Sequence, residues 1–510
     1  MSATTEQAGS ERDSADLAKF GYKQELKRGL GTFSSFAVAF SYISPSTGIF
    51  ALFFLGLTTV GGVFFWSWPL VAAGQFVIAL NFAEVTSHYP IAGSVFQWTK
   101  YLARRTYAWF NGWIYLFAGI LTVTSVVATL PLALVPTLEG LGWNSLKLTV
   151  DTELVIGVIT LVVITVLNIY GVRLVAIINN TGVLFEILGM FVFALILMAF
   201  HNHQGFGVVN NTGGLHISFL NGQNAFMVAA FMSLFVIYGF DTASTLSEET
   251  KDPRRSAPKA VLFAVVGAFI IGGVFLLGTL MAIPNMHAAI AGGFGPADII
   301  EANFSTPFAT LYLAVVAAAI FVCCLSIMAS TIRLCFGMAR DNQLPLSKHL
   351  SRVSPRLHTP VWSCIAVALI AAVPFIQFSG AGIIAIAATG MIYFSYFLGN
   401  IAILRARLKG WPKTDAPFKL GRWGLTVNIV GLLYGGAMIV NFAWPRAASN
   451  PKPNQTLGAL HLGFLNGVPV LWSVFGFVVL LGVIYYLAVA RNKQIAPVVT
   501  PEGDDAPLVV

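Results

Sequence analysis

Apolar stretches long enough to cross a bilayer recur along almost the whole chain, and that recurrence constrains everything else. A helix needs about 20 apolar residues to traverse the hydrocarbon. Such spans are expected near 31–59, 61–88, 108–136, 153–171, 177–200, 223–246, 260–283, 307–338, 360–378, 382–404, 424–444 and 468–490. The first and eighth are long enough to be tilted or broken. Only 10% of the 510 residues are charged and 57% are hydrophobic, so a core in water could not hide the apolar surface. Lipid removes that difficulty by replacing water around the helices. The expected fold class is all-α integral membrane, with about 12 transmembrane helices.

The basic residues set the expected orientation. With the N-terminus inside, 26 of the 29 lysines and arginines fall on inner segments, and Lys147, Arg446 and Lys452 alone fall outside. Both termini are then cytoplasmic, in a multi-pass protein of the inner (cytoplasmic) membrane. The formal charge of +8 is spread along the cytoplasmic rim, where anionic lipid attracts it. It is not interleaved with aromatics on a polar face, so nucleic acid is not expected as a partner. Residues 1–29 show no apolar core followed by a small-residue cleavage site, so no secretory leader is expected there. Cys323, Cys324, Cys335 and Cys364 lie in or beside apolar spans and read as small buried hydrophobes. The histidines lack metal-ligand spacing, and no metal site is expected.

Two spans are unlike the rest. The first carries Ser44-Pro45-Ser46-Thr47-Gly48 in its middle. Proline removes an amide donor and clashes with the preceding turn, and glycine lowers the cost of unwinding. Either a simple proline kink or a true break follows. The sixth carries Tyr238-Gly239-Phe240-Asp241-Thr242, and then Glu248-Glu249. A carboxylate deep in an apolar stretch is costly, which makes Asp241 a functional candidate unless the helix ends early beside Lys251. The two interruptions sit five spans apart. Five is odd, so a second five-helix unit would be inverted relative to the first. Inverted repeats with interrupted helices in matching positions point to a secondary transporter site.

At these residues the chain resembles the amino acid–polyamine–organocation transporter superfamily. The motifs are Ser46-Thr47-Gly48-Ile49-Phe50; Glu84 with Pro90, Gly93 and Trp98; Gly239-Phe240-Asp241 followed by Glu248-Glu249-Thr250-Lys251-Asp252-Pro253-Arg254 and Pro258; and Ala339-Arg340-Asp341-Asn342-Gln343-Leu344-Pro345. Leu26-Lys27-Arg28-Gly29-Leu30-Gly31 and Phe40-Ser41-Tyr42-Ile43-Ser44 are most similar to the amino acid/choline transporter branch. The resemblance implies a LeuT-type five-plus-five inverted repeat with two extra helices. It divides the chain into a tail (1–29), a transport core (30–404, repeats about 30–200 and 223–404), two additional helices (405–490) and a second tail (491–510). It implies transport of amino acids or related small amines, among them γ-aminobutyrate, choline or polyamines, by alternating access.

The same resemblance implies site residues. Amides near Ser46, Thr47 and Gly48, beside Ser44, would hold a solute carboxylate. Carbonyls around Phe235, Val236 and Tyr238, next to Gly239, would receive the amine, with Phe235 as an aromatic gate. Asp241 takes the place of an inner-gate glutamate. Where proton-coupled relatives carry a lysine on the fifth helix, alignment from Gly171 through Asn179-Asn180 places Glu186. A buried glutamate there could load a proton, pair with a cationic solute, or be a structural acid bonded to a nearby serine or backbone group. A proton is favoured over sodium as coupling ion, because Cys323 and Cys324 beside Ser326 are poor ligands for a hard cation, and solute exchange without any coupling ion is left open. No organic cofactor is expected, and oligomeric state is left open. A membrane enzyme would need a clustered acid/base, nucleophile or metal set. Glu84, Asp241 and Glu186 are dispersed instead, and the glycines of Gly292-Gly293-Phe294-Gly295 lie in a loop without a phosphate-cradle setting. A channel fits less well than alternating access, given the paired interruptions.

Overall fold

The computed structural model describes residues 3–222, 224–377, 381–444 and 470–493. Among them there is no strand, and only two isolated bridges, Leu30 with Thr250 and Ser218 with Ala225. A surface helix α1 (Ala3–Ala18) precedes the bundle. The first span is α2 (Thr32–Ile43) and α3 (Pro45–Val60), and the second is α4 (Ser67–His88). Then come α5 (Ser94–Leu102), α6 (Arg105–Thr129), α7 (Pro131–Gly140), α8 (Val150–Tyr170) and α9 (Val172–Phe200). The sixth span is in pieces: α10 (Phe226–Ala229), α11 (Phe231–Val236) and α12 (Thr242–Thr245). The chain continues through α13 (Pro253–Met281), α14 (Met286–Gly292), α15 (Pro296–Asn303), α16 (Thr306–Arg340) and α17 (Ser347–Leu350). It finishes with α18 (Val361–Ala372), α19 (Ala381–Leu408), α20 (Gly424–Ala443) and α21 (Val470–Ala488).

Among the described residues, every expected span therefore coincides with a helix or with consecutive helical pieces. Eight helical stretches are long and apolar enough to cross a membrane, one of them, Thr32–His88, being 57 residues and so long enough to cross twice. Phe226–Val236, Val361–Ile376 and Trp472–Ala488 are shorter apolar helices at the remaining positions. The first span is broken, whereas the eighth, α16, is one continuous helix of 35 residues. Arg446 and Lys452 lie outside the described residues.

Lipid contact explains the outer surfaces. On α8, Val155, Ile159, Val162 and Val166 are all exposed, and their spacing of three and four puts them on one face. Water would penalise that stripe, but hydrocarbon does not. The chain is a multi-pass membrane protein. Inside, α13 packs on α2, α4 and α9, while α6 packs on α16 and α19. Glycines let these helices close in. An added Cβ on Gly182 of α9 would lie 2.6 Å from Val322 Cγ2 of α16, so the Val322 side chain packs directly against the α9 backbone there. One end of the bundle carries Lys100, Arg254, Arg340 and Arg407, and we call it the basic end.

Candidate functional site

The break in the first span is a single residue. Ser44 takes left-handed backbone angles (φ 35°, ψ 86°) between α2 and α3, and Pro45 occupies the first position of α3. Proline suits that position, since its missing amide would have had no helical partner. A helix beginning in mid-bilayer presents unpaired amides and a partial positive charge, which favour an anion. The Glu186 carboxyl group sits at that position. Its Oε1 accepts from Ser44 Oγ at 2.7 Å, Ser46 Oγ at 2.6 Å and Ser46 N at 3.4 Å. Ser44 Oγ also lies 2.7 Å from Thr47 Oγ1. Glu186 is 1% exposed, so these donors replace the water a buried carboxylate has lost. The candidates Ser44 and Ser46 therefore meet Glu186 directly, in the serine-bonded arrangement, and Thr47 joins them through Ser44.

The break in the sixth span runs from Ile237 to Asp241, and Gly239 has φ 82°. Side chains rarely adopt that angle, and an added Cβ would also collide with the Tyr42 ring of α2. Gly48 is equally confined, because its Cβ would strike Val236 Cγ2. These two glycines bring both breaks into direct contact. Tyr238 stands between the Tyr42 ring at 6.1 Å and the Phe235 ring at 6.0 Å, edge-on to each. The carbonyl of Val236, expected to receive an amine, accepts here from Tyr238 N at 3.0 Å. Gly239→Ala should lose roughly 1–3 kcal/mol of stability from strain and overpacking. An unchanged thermal midpoint for that purified variant would show that the contact is not tight.

Asp241 follows the end of α11 at Val236 but lies inside the bundle, fully buried, and not at an exposed helix end beside Lys251. It accepts from Ser94 Oγ at 2.6 Å, from Tyr115 OH at 2.6 Å and from Tyr396 OH. Tyr396 OH in turn accepts from Gly239 N at 2.9 Å. One carboxylate thus joins the sixth span to α5, α6 and α19. Asp241 and Glu186 have separate sets of partners, so the candidates form two polar centres with the contacting breaks between them.

A third polar layer lies toward the basic end. Glu248 receives Arg340 through two bonds (2.9 and 2.7 Å) and the Ala92 amide at 3.1 Å. Glu249 receives Arg333 Nε at 2.8 Å. Lys100 Nζ reaches Asp341 at 2.7 Å, and Tyr22 OH donates to the same carboxylate at 2.8 Å. The segment before α2 is strapped across this layer. Gly29 N and Leu30 N donate to Glu249 O, and Lys251 N donates back to Leu30 O. Glu84, at the same end, pairs with Arg407 and accepts from Leu420 N at 2.9 Å. Sequence reasoning noted the motifs containing Glu248, Glu249, Arg340 and Asp341 without pairing them, and it missed Ser94, Tyr115 and Tyr396. At the opposite end a cavity of about 260 Å³, lined by Glu139, Glu301 and Thr310 among others, shares no residue with the breaks.

A membrane-spanning helical bundle, with two interrupted helices meeting around buried carboxylates, is the architecture of a solute transporter and not of an enzyme. The chain belongs to the amino acid permease family, whose model matches residues 30–475. Among its relatives, an amino-acid permease of Arabidopsis thaliana named BAT1 is 27% identical over 463 residues, covering 84% of this chain and 88% of the relative. A GABA-specific permease of Saccharomyces cerevisiae is 26% identical over 376 residues, covering 70% and 65%. The glutamate/serine transporter AimA of Bacillus subtilis is 25% identical over 451 residues, covering 82% and 78%.

Proposed function

We propose that this permease is a proton-coupled secondary transporter that accumulates amino acids or closely related amines bearing a carboxylate, by alternating access. The observation behind this reading is Glu186 of α9 bonded to Ser44 and Ser46 at the start of α3. The donors it holds are the ones a solute carboxylate would use. Two carboxylates cannot share three donors without strong repulsion. A carboxylate-bearing solute therefore takes the cradle when Glu186 is neutral, which requires a proton. Proton and solute are then bound together, and release of the solute lets Glu186 ionise and return to α3. The names of the relatives support the solute class, since γ-aminobutyrate, glutamate and serine all carry an amine and a carboxylate. Sodium is disfavoured because the Cys323 thiol donates to the Tyr42 carbonyl at 3.5 Å, occupying an oxygen that a hard cation would need.

On this reading residues 30–404 form the transport core and the basic end faces the cytoplasm, as the excess of lysine and arginine favours. The membrane is the cytoplasmic one. The strapped layer of Glu248, Glu249, Arg333 and Arg340 closes the inner side, and Asp241 is the inner latch that releases as the sixth span moves.

Uptake of a radiolabelled panel into proteoliposomes, with and without an inward proton gradient, tests the proposal. The panel spans neutral and cationic amino acids, γ-aminobutyrate, choline and putrescine. Gradient-stimulated uptake of a solute carrying both groups is expected. Uptake confined to preloaded vesicles would make the protein an exchanger. Uptake of choline or putrescine in preference to amino acids would show that the α3 cradle does not select a carboxylate.

A further inference from the structure

A buried polar junction adjoins Glu186 on the side of the basic end. It is built by α2, α9 and α16. Asn179 and Glu186 are seven residues apart, so they share one stripe of α9. Gly182, between them, meets Val322 of α16. One turn from that contact toward the basic end lie Asn179 on α9 and Ser326 on α16, which runs the opposite way. Ser326 is also one turn beyond Cys323, whose thiol reaches the Tyr42 carbonyl of α2, so it faces the crevice between α9 and α2.

The α2 wall is placed as firmly. Ser34 accepts from Asn180 Nδ2 at 2.9 Å, and Ser44 donates to Glu186. These bonds fix the face of α2 that looks at α9. Ser41, seven residues after Ser34 and three before Ser44, lies on that face. Ser41, Asn179 and Ser326 are fully buried. Ser41 Oγ, both polar atoms of Asn179 and Ser326 Oγ have no protein partner. Orphaned polar groups are costly when dry, and three side chains around one crevice match the number of bonds a buried water makes.

We propose that Ser41, Asn179 and Ser326 form a hydration site that relays the proton between Glu186 and the basic end. The inference rests on the proton-coupled reading above. Glu186 gives its proton to the water held there and becomes the carboxylate bound by α3. The excess proton leaves past Asn180 and Ser34, which are half-buried where the crevice approaches the basic end; Asn180 Oδ1 is a further unpartnered acceptor. The titratable groups facing Glu186 among the described residues are Tyr312 and Cys323 of α16, while α2 and α3 offer it hydroxyls and an amide. The relay is thus the polar route out of the site on this side.

The test compares gradient-driven uptake with exchange between preloaded vesicles, using the solute the wild type accumulates. Asn179→Leu should lower gradient-driven uptake about tenfold and leave exchange within about twofold. Ser326→Ala, which removes one hydroxyl, should show the same split more weakly, and Asn179→Gln should restore coupling. Undiminished gradient-driven uptake in both Asn179→Leu and Ser326→Ala would overturn the relay. If Asn179→Leu loses exchange as well, Ser326→Ala decides alone: unchanged coupling refutes the site, and selective loss supports it. A wild type indifferent to the proton gradient would instead refute the coupled reading itself.

Discussion

Glu186→Gln should abolish accumulation against a gradient while preserving exchange. Glutamine keeps the size of the side chain and can still accept from Ser44 and Ser46 through its amide oxygen. It cannot ionise, so the cradle on α3 no longer alternates between a protein carboxylate and a solute carboxylate. The expected accumulation ratio falls toward unity, a loss of at least about tenfold for any solute the wild type concentrates that far. Net uptake should also lose its dependence on external pH, and counterflow should proceed near the wild-type rate. The measurement is paired uptake and counterflow in the same proteoliposomes. Intact pH-driven accumulation would remove Glu186 from the coupling role.

Arg333→Met is expected to have the largest effect on stability. Arg333 and Glu249 are each 1% exposed and joined at 2.8 Å. Methionine fills part of the space but leaves Glu249 as an uncompensated charge inside the bundle. Removing one partner of a buried pair costs about 3–5 kcal/mol, much of it the desolvation of the survivor. A sharp fall in the thermal midpoint of the detergent-purified protein, with poor expression, should follow. Adding Glu249→Gln should recover a good part of the loss, because it removes the stranded charge. If the single variant melts like the wild type, water already reaches Glu249 and the layer is not sealed.

The features legible from sequence are those set by local rules. Apolar length located the spans, and Pro45 and Gly239 located the breaks, because backbone restriction acts within a turn. The α5 helix was not foreseen: its nine residues are too few to span and carry Lys100 and Gln97, so they read as a connection. Partnerships were legible only in part. That Glu186 could bond a serine was foreseeable, but the choice of Ser44 and Ser46 depends on how α9 crosses α2. Tyr115 and Tyr396 look like ordinary aromatics in apolar helices, and only the bundle reveals that both point at Asp241. The same holds for Arg333 with Glu249, which are 84 residues apart in the chain.

The unbroken course of α16 has a mechanical consequence. A helix rises about 1.5 Å per residue, so Cys323, which faces Glu186, and Arg340, which grips Glu248, are rigidly spaced about 26 Å apart. A rod of that kind does not transmit a signal step by step. It can only tilt or slide whole. Any displacement that suits one of its ends is imposed on the other, so on the proton-coupled reading proposed above the Glu186 carboxyl group and the clasp at the basic end would keep time without messengers between them.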